Sequence, residues 1–296
     1  MKQLSRKQII LRIGTALLAV LVLFALGMFL RAARINARSQ ANFRELSELV
    51  VRNTPAPAAP APTPGPTAAP IAILIQPPAA SPDPGADAPA PTATPEPTAT
   101  PEPTLAPLED YAALYARNPD FFGWITVADT RVDLPIMYSP DRPLQYLGHD
   151  FDGNFSYAGV PYLAPQCDPD GDYYLIYGHH MRDGSVFAGL MAYEDRAFWE
   201  QHPTFRCDTR FERRTYAVIA AFRARVLTED ERGFRYYSYS ALSDEATFNT
   251  FMTNIRAMAA YDTGITAAFG DQILTLTTCA YHTEKGRFVV VAKRID

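Results

Sequence analysis

The stretch that decides the fold is ILTLTTCAYHTEKGRFVVVAKRI, residues 273–295. Two runs of apolar and β-branched residues flank a short polar loop that contains Gly286, a pattern typical of a β-hairpin. Because strand side chains alternate between faces, Thr277 and Cys279 are expected to share a face. Arg287 stands at the start of the partner run. The pattern therefore predicts that Cys279 and Arg287 meet at the open end of one hairpin.

Outward from this hairpin, the chain contains many short apolar runs that are separated by turns and typical of strands. Few helices interrupt them, and Ser243 is the expected N-cap of the helix at 243–259. Many short strands with few helices predict a mainly β fold, a closed or nearly closed barrel with helical insertions. The expected strands are residues 123–127, 132–138, 157–163, 173–178 and 215–226, and the expected helices are 111–118, 186–202 and 243–259.

The N-terminus has the pattern of a membrane anchor. Basic residues within 1–12 precede an uncharged run of 18 residues, 13–30, which is near the lower limit for crossing a bilayer. A cleaved signal peptide would end in a small-x-small site, but Arg31 and Arg34 occupy that place. The sequence therefore favours an uncleaved single-pass anchor with a short cytoplasmic tail and an external domain.

Proline divides the rest of the chain. Eighteen of the 26 prolines lie between Pro55 and Pro107, and such a segment cannot bury enough apolar surface to fold. At this density proline favours extended polyproline II, so the segment is expected to be a stalk between membrane and domain. The predicted organisation is a tail (1–12), an anchor (13–30), a juxtamembrane helix (31–52), a Pro/Ala/Thr-rich disordered linker (53–107) and a globular domain (108–296).

Charge and cysteine content exclude several classes of protein. Residues 108–296 carry 18 Lys and Arg against 26 Asp and Glu, and such an acidic domain argues against binding nucleic acid. Three cysteines with no Cys-x-x-Cys pair exclude a disulfide-built scaffold and give no paired zinc motif.

A thiol beside a guanidinium is an arrangement that can perform acyl transfer. Cys279 would be the nucleophile, and Arg287 would stabilise a carbonyl or an oxyanion. The alternative is a small buried cysteine and a solvated arginine without a chemical role. Cys167 and Cys207 lie in polar, loop-like contexts, and whether they form a disulfide stays open.

A thiol nucleophile needs a proton donor and acceptor, usually histidine. His179 and His180 follow an apolar strand and a glycine, and His282 lies in the loop of the hairpin itself. Spacing alone leaves these three histidines as rivals, while His149 and His202 are weaker candidates.

Several motifs together resemble the sortases, the membrane-anchored cysteine transpeptidases of Gram-positive cell surfaces. They are TLTTC (275–279), Arg287 eight residues later, and YGH (177–179) upstream. The opening NPDFFGWI (118–125) and the helix at 243–259 resemble class B of that family. Ala280 stands where some class B relatives have an acid, so a role for an acid there is absent.

The resemblance implies an eight-stranded sortase barrel with Cys279 as nucleophile, His179 as proton donor and acceptor, and Arg287 as carbonyl and oxyanion ligand. Thr277 is a candidate substrate-binding residue, and His180 is given no required role. The expected partners are surface proteins with a C-terminal N-P-x-T-x-like sorting signal and an amine of peptidoglycan or its lipid-linked precursor. No metal or organic cofactor is implied. The alternatives are a tethered cysteine peptidase, a pilin-polymerising sortase and a catalytically silent binding module.

Overall fold

The computed structural model describes residues 6–50 and 106–296, with side chains from residue 14 onward. Four α-helices and eight strands form the framework of this described part, and short 3-10 helices join some of them. The helices are Arg6–Leu49 (α1), Glu109–Arg117 (α2), Arg196–Gln201 (α3) and Glu245–Met258 (α4). The strands are Phe121–Thr126 (β1), Asp133–Met137 (β2), Tyr162–Leu163 (β3), Tyr173–Tyr177 (β4), Thr204–Thr209 (β5), Thr215–Arg225 (β6), Ile273–Cys279 (β7) and Gly286–Arg294 (β8).

The eight strands close into a barrel, which confirms the predicted fold. Their order around the barrel is β1-β2-β3-β4-β7-β8-β6-β5, and β5 pairs with β1 to complete the circle. Two pairs are parallel, β2 with β3 and β4 with β7, and the others are antiparallel. Closure removes the exposed edges that a sheet of this size would otherwise present.

Strand β7 lies between β4 and β8 in the barrel and is covered on both faces. Every residue from Ile273 to Thr278 is buried, and only Cys279 at its end is partly exposed. One face packs in the barrel. On the other, Phe251 of α4 contacts Tyr173 of the adjacent strand, with ring centroids 5.4 Å apart. The covering elements therefore leave open only the end of the strand that carries the cysteine.

Three elements differ from the sequence-based expectation. Strand β5 has no counterpart in that expectation, because TFRCDT has only two apolar residues, yet it closes the barrel between β1 and β6.

Two helices also differ from the expectation. The expected helix 186–202 is a 3-10 helix, Phe187–Glu194, followed by α3, because the Asp195 side chain accepts from the Ala197 amide and starts a new helix. The N-cap of α4 is Asp244, which accepts from the Thr247 amide, so the expectation of Ser243 was wrong.

Helix α1 has two halves with opposite environments. Residues 14–31 are exposed throughout, and the helix is long and apolar enough to cross a membrane. The second half is docked on the barrel domain, where Phe43, Leu46 and Val50 join the hydrophobic core. Polar contacts accompany them, including a hydrogen bond of 2.8 Å between the hydroxyls of Ser39 and Ser156.

This docking changes the interpretation of the proline-rich linker. Residues 53–105 of that predicted linker lie outside the described residues. Before the linker, Val50 is buried against the domain, and after it the Leu108 amide donates to the Arg210 carbonyl at 2.8 Å. Both ends of the segment therefore attach to the same domain, which differs from the expected stalk between membrane and domain.

We expect the docked half of α1 to contribute to the stability of the domain. Leu46→Ala should lower the free energy of unfolding by about 2–5 kcal/mol, since the side chain is fully buried and its removal leaves a cavity. Leu49 on the same helix is 37% exposed, so Leu49→Ala is a matched control that should cost no more than about 0.5 kcal/mol. Urea unfolding of the full chain in detergent measures both, and equal effects would contradict the docked arrangement.

Candidate active site

Three adjacent strands bring the predicted site residues together. In the antiparallel β7–β8 pair, Cys279 is directly opposite Arg287, as the hairpin pattern predicts. In the parallel β4–β7 pair, Tyr177 is opposite Thr277, and the Gly178 amide continues the ladder by donating to the Thr277 carbonyl at 3.1 Å. His179 follows one residue later. The cysteine, the histidine and the arginine therefore occupy neighbouring strand ends on one side of the barrel.

The guanidinium of Arg287 lies among phenol rings. It is partly buried, donates to the Gly286 carbonyl at 3.0 Å, and is close enough to act electrostatically on Tyr162, Tyr177 and Tyr236. Burial raises the pKa of Tyr236 to about 12, although a hydrogen bond from Thr277 and the arginine charge both oppose this shift. The three phenols near Arg287 therefore stay neutral at physiological pH, so they do not neutralise the positive charge of the guanidinium.

The hydroxyl of Thr277 already has a partner. Its Oγ1 lies 2.8 Å from the Tyr236 hydroxyl, and the threonine is 1% exposed. Thr277 is therefore bound to Tyr236, and both side chains are buried. Sequence reasoning missed Tyr236, which belongs to a 3-10 turn in the connection between β6 and β7. Its aromatic-rich context, FRYYSY, was the available signal.

His179 is oriented by a main-chain carbonyl. Its Nε2 lies 2.9 Å from the Leu147 oxygen, at the end of the 3-10 helix Gln145–Leu147. A carbonyl oxygen can only accept, so Nε2 carries the proton in this contact. In the neutral ring Nδ1 is then the nitrogen left to exchange a proton.

His180 has a structural role that the sequence did not reveal. Its Nδ1 lies 2.9 Å from the Cys279 carbonyl, so by the same argument Nδ1 donates to that oxygen. The Tyr281 hydroxyl donates in turn to the His180 carbonyl at 3.0 Å. These two bonds tie the segment after β4 to the residues on either side of Ala280. His180 therefore fixes the main chain at the cysteine.

The segment that carries both histidines is a tight hairpin. The Phe187 amide donates to the His179 carbonyl at 2.9 Å, and His180 forms a bridge with Val186. Gly178 is required before it, because a Cβ there would lie 2.5 Å from the Phe187 ring. At its tip, the Asp183 carboxylate accepts from the Ser185 amide and hydroxyl and from Asn36 of α1.

The remaining histidines lie apart from this cluster or are exposed. His202 is paired with Asp129 at 2.8 Å, His149 Nδ1 bonds the Gln145 carbonyl, and His282 is exposed. Within residues 14–50 and 106–296, no group of three or more His, Cys, Asp or Glu side chains is arranged to hold a metal ion.

The three cysteines differ in accessibility. Cys167 and Cys207 are both free and both 2% exposed, whereas Cys279 is partly exposed. Burial raises the pKa of the Cys167 thiol to about 11 and that of Cys207 still further, so both stay protonated near neutral pH. Since the thiolate is the reactive form, Cys279 is the thiol available for nucleophilic chemistry.

Comparison with known proteins identifies the family. A family model described as the sortase domain matches residues 125–295, more than half of the chain. The chain belongs to the sortase family.

Within that family, the chain is similar to sortase B. It is 30% identical over 182 residues to sortase B of Listeria monocytogenes, which covers 60% of this chain and 71% of the relative. The structure of Bacillus anthracis sortase B in complex with AAEK1 matches with a TM-score of 0.54 and 30% identity over 64% of this chain and 85% of that one. A mutant form of Clostridium perfringens sortase B matches with a TM-score of 0.57 and 25% identity over 64% and 87%.

The accessibility of the thiols predicts selective labelling. At neutral pH iodoacetamide should modify Cys279 in the folded protein and leave Cys167 and Cys207 unmodified, because their burial both hides them and keeps them protonated. Peptide mapping by mass spectrometry measures the modification at each site. In denaturant all three should react equally, which is the control. Modification of Cys167 or Cys207 under native conditions would contradict this description.

Proposed function

We propose that this sortase cleaves a C-terminal sorting signal of the N-P-x-T-x kind after the threonine and joins the protein to an amine of the cell-wall peptidoglycan. The observation that carries the proposal is the cross-strand pair of Cys279 and Arg287, with His179 at the adjacent strand end. These groups supply a nucleophile, a fixed double donor and a proton carrier at one place.

In the first half-reaction, the Cys279 thiolate attacks the carbonyl carbon of the threonine and forms a C–S bond. The negative charge moves to the carbonyl oxygen, where Arg287 donates hydrogen bonds to it. The C–N bond then breaks, and the leaving amine takes the Nδ1 proton of the His179 imidazolium, which is left neutral. The products are a thioester on Cys279 and the released C-terminal peptide.

In the second half-reaction, an amine attacks the thioester carbon. His179 accepts the proton that the attacking amine loses, and Cys279 leaves as the thiolate. A new amide bond replaces the thioester, and the enzyme returns to its starting protonation state. The free nitrogen of His179, Nδ1, suits both steps because its Nε2 is held by Leu147.

Relatives guide the choice of substrates for a test. One solved structure is a complex of Staphylococcus aureus sortase B with substrate, and another is a sortase B complexed with a glycine tripeptide. Their likeness to this chain, at 22% and 23% identity, is one of fold. A sorting peptide and a short glycine peptide are therefore sensible first probes of donor and acceptor.

We further propose that residues 13–30 anchor the protein in the cell membrane and that the catalytic domain lies on the outer, cell-wall side. The exposed apolar half of α1 supports the anchor. An external position would also bring the domain to the amine acceptor.

The experiment that tests the function is incubation of the full chain in detergent with a small library of sorting peptides, with and without triglycine. A transpeptidase gives a peptide–glycine conjugate and releases the C-terminal fragment, both measured by mass spectrometry. Cleavage that yields only the free acid, whatever the amine, would identify a tethered cysteine peptidase. A conjugate formed only with a pilin lysine peptide would identify a pilin-polymerising sortase. No acyl-enzyme with any peptide would leave a binding module and overturn the proposal.

The three histidines near the cysteine should have graded effects. His179→Ala should lower kcat/KM by about 10²–10⁴, the usual contribution of general acid–base catalysis. His180→Ala should lower it by about 2–10-fold, because one hydrogen bond to the Cys279 carbonyl is lost. His282→Ala is the exposed control and should change little. Steady-state cleavage of a fluorogenic peptide measures all three, and a dispensable His179 would refute its assignment.

Arg287→Lys separates positioning from charge. The guanidinium presents a planar fork of donors, whereas the lysine ammonium is a point charge on a flexible stem. If Arg287 holds the oxyanion, the lysine variant should fold normally and lose about 10²–10³ in kcat/KM for peptide cleavage. Near-normal rates with lysine, together with an inactive alanine variant, would leave only an electrostatic role.

A further inference from the structure

The domain begins to cover α1 almost immediately after the apolar run ends. Residues 14–31 are exposed, whereas Ala32 and Ile35 are already partly covered. Asn36 donates to the Asp183 carboxylate at 3.0 Å. At a rise of 1.5 Å per residue, Asn36 lies about 9 Å beyond Leu30 along the helix axis, and Ser39 about 14 Å beyond it.

A pair of aromatic rings stands at this edge of the domain. Phe155 and Tyr157 flank Ser156, which bonds to Ser39 of α1. They are 54% and 51% exposed, and their rings pack edge to face with centroids 4.9 Å apart. Half-exposed aromatic rings beside the end of a membrane helix are compatible with the interfacial belt, where the amphipathic rings of tyrosine and tryptophan sit at the level of the lipid headgroups.

Four exposed arginines lie at the same edge, two of them beside carboxylates: Arg182 adjoins Asp183, and Arg38 is near Asp152. Arg31, Arg34 and Arg38 are exposed on the first turns after the apolar run, and Arg182 is exposed on the turn that holds Asp183. Such a cluster next to a membrane helix attracts anionic lipid headgroups. Three of these four arginines belong to α1, outside the acidic span 108–296.

We propose that this edge rests directly on an anionic bilayer, with Phe155 and Tyr157 in the headgroup region and the four arginines on lipid phosphates. We call these six residues the membrane edge. The proposal rests on the membrane anchor of the proposed function. It goes beyond that anchor, because it gives the domain direct contact with the lipid surface and a fixed orientation there. The docked half of α1 supplies the rigid connection that a flexible linker would lack.

The membrane edge is also connected to the candidate active site. The Ser156 amide donates to the Gly148 carbonyl at 2.9 Å, next to Leu147, whose carbonyl binds His179. The turn at Asp183 closes the hairpin that carries the same histidine. The seated domain would therefore hold the His179 end of the barrel near the lipid surface.

The test is a position-specific fluorescence measurement on the full chain in vesicles of phosphatidylcholine and phosphatidylglycerol. Phe155→Trp is compared with Phe269→Trp in the same background, which keeps Trp124 and Trp199 constant. Phe269 is a matched control because it is 47% exposed and lies just before Ile273, at the far end of β7 from Cys279. Lipids brominated near the headgroup serve as quenchers.

If the domain is seated as proposed, the added emission of the 155 variant should be quenched at least twice as strongly as that of the 269 variant. Tyr157→Trp should be quenched as strongly as the 155 variant. Agreement between the two shows that the result does not come from a local structural change caused by one substitution. Equal and weak quenching at positions 155, 157 and 269 would overturn the proposal.

The quenching measurement is independent of catalysis, so an inactive enzyme can still support or refute the contact between the membrane edge and the bilayer. A chain that does not float with the vesicles would refute the anchor and, with it, this proposal. Peptide cleavage by the same preparation tests the proposed function separately.

Discussion

The site depends on the strand register at one end of the barrel. Parallel pairing sets Tyr177 against Thr277, and antiparallel pairing sets Cys279 against Arg287. Because side chains alternate along a strand, a slip of one residue in either pair would turn the thiol away from its partners. The buried run of β7 opposes such a slip, since it would exchange the side chains that pack inside the barrel with those that pack on its outer face. The same apolar packing that stabilises the barrel thus also aligns Cys279 with Arg287 and with the strand end that carries His179.

The sequence predicts those parts of the molecule that depend on local pattern. The hairpin of β7 and β8 follows from two apolar runs around Gly286, and the pairing of Cys279 with Arg287 follows from alternation. The closed barrel follows from many short strands. The choice of His179 among three rivals comes from family resemblance, because spacing along the chain does not reveal which loop returns to the cysteine.

Other features arise only from tertiary contacts. The bond from His180 to the Cys279 carbonyl joins residues 99 positions apart, and the bond between the Tyr236 and Thr277 hydroxyls joins residues 41 apart. Strand β5 was missed because its stability comes from its neighbours β1 and β6 more than from its own composition. The docking of α1 was missed although Ile35, Phe43 and Leu46 are spaced for one helical face, because such a stripe does not show which element will cover it.

The two ends of the proline-rich segment have a consequence for the covalent integrity of the protein. Val50 and Leu108 both contact the barrel domain, so the chain leaves this domain after Val50 and is back in contact with it at Leu108. A single proteolytic cut between residues 53 and 105 would divide the chain into two polypeptides. The barrel would nevertheless stay bound to the N-terminal polypeptide through Phe43, Leu46 and the polar contacts of α1. Nicking of this segment would then produce a two-chain enzyme and no shed domain.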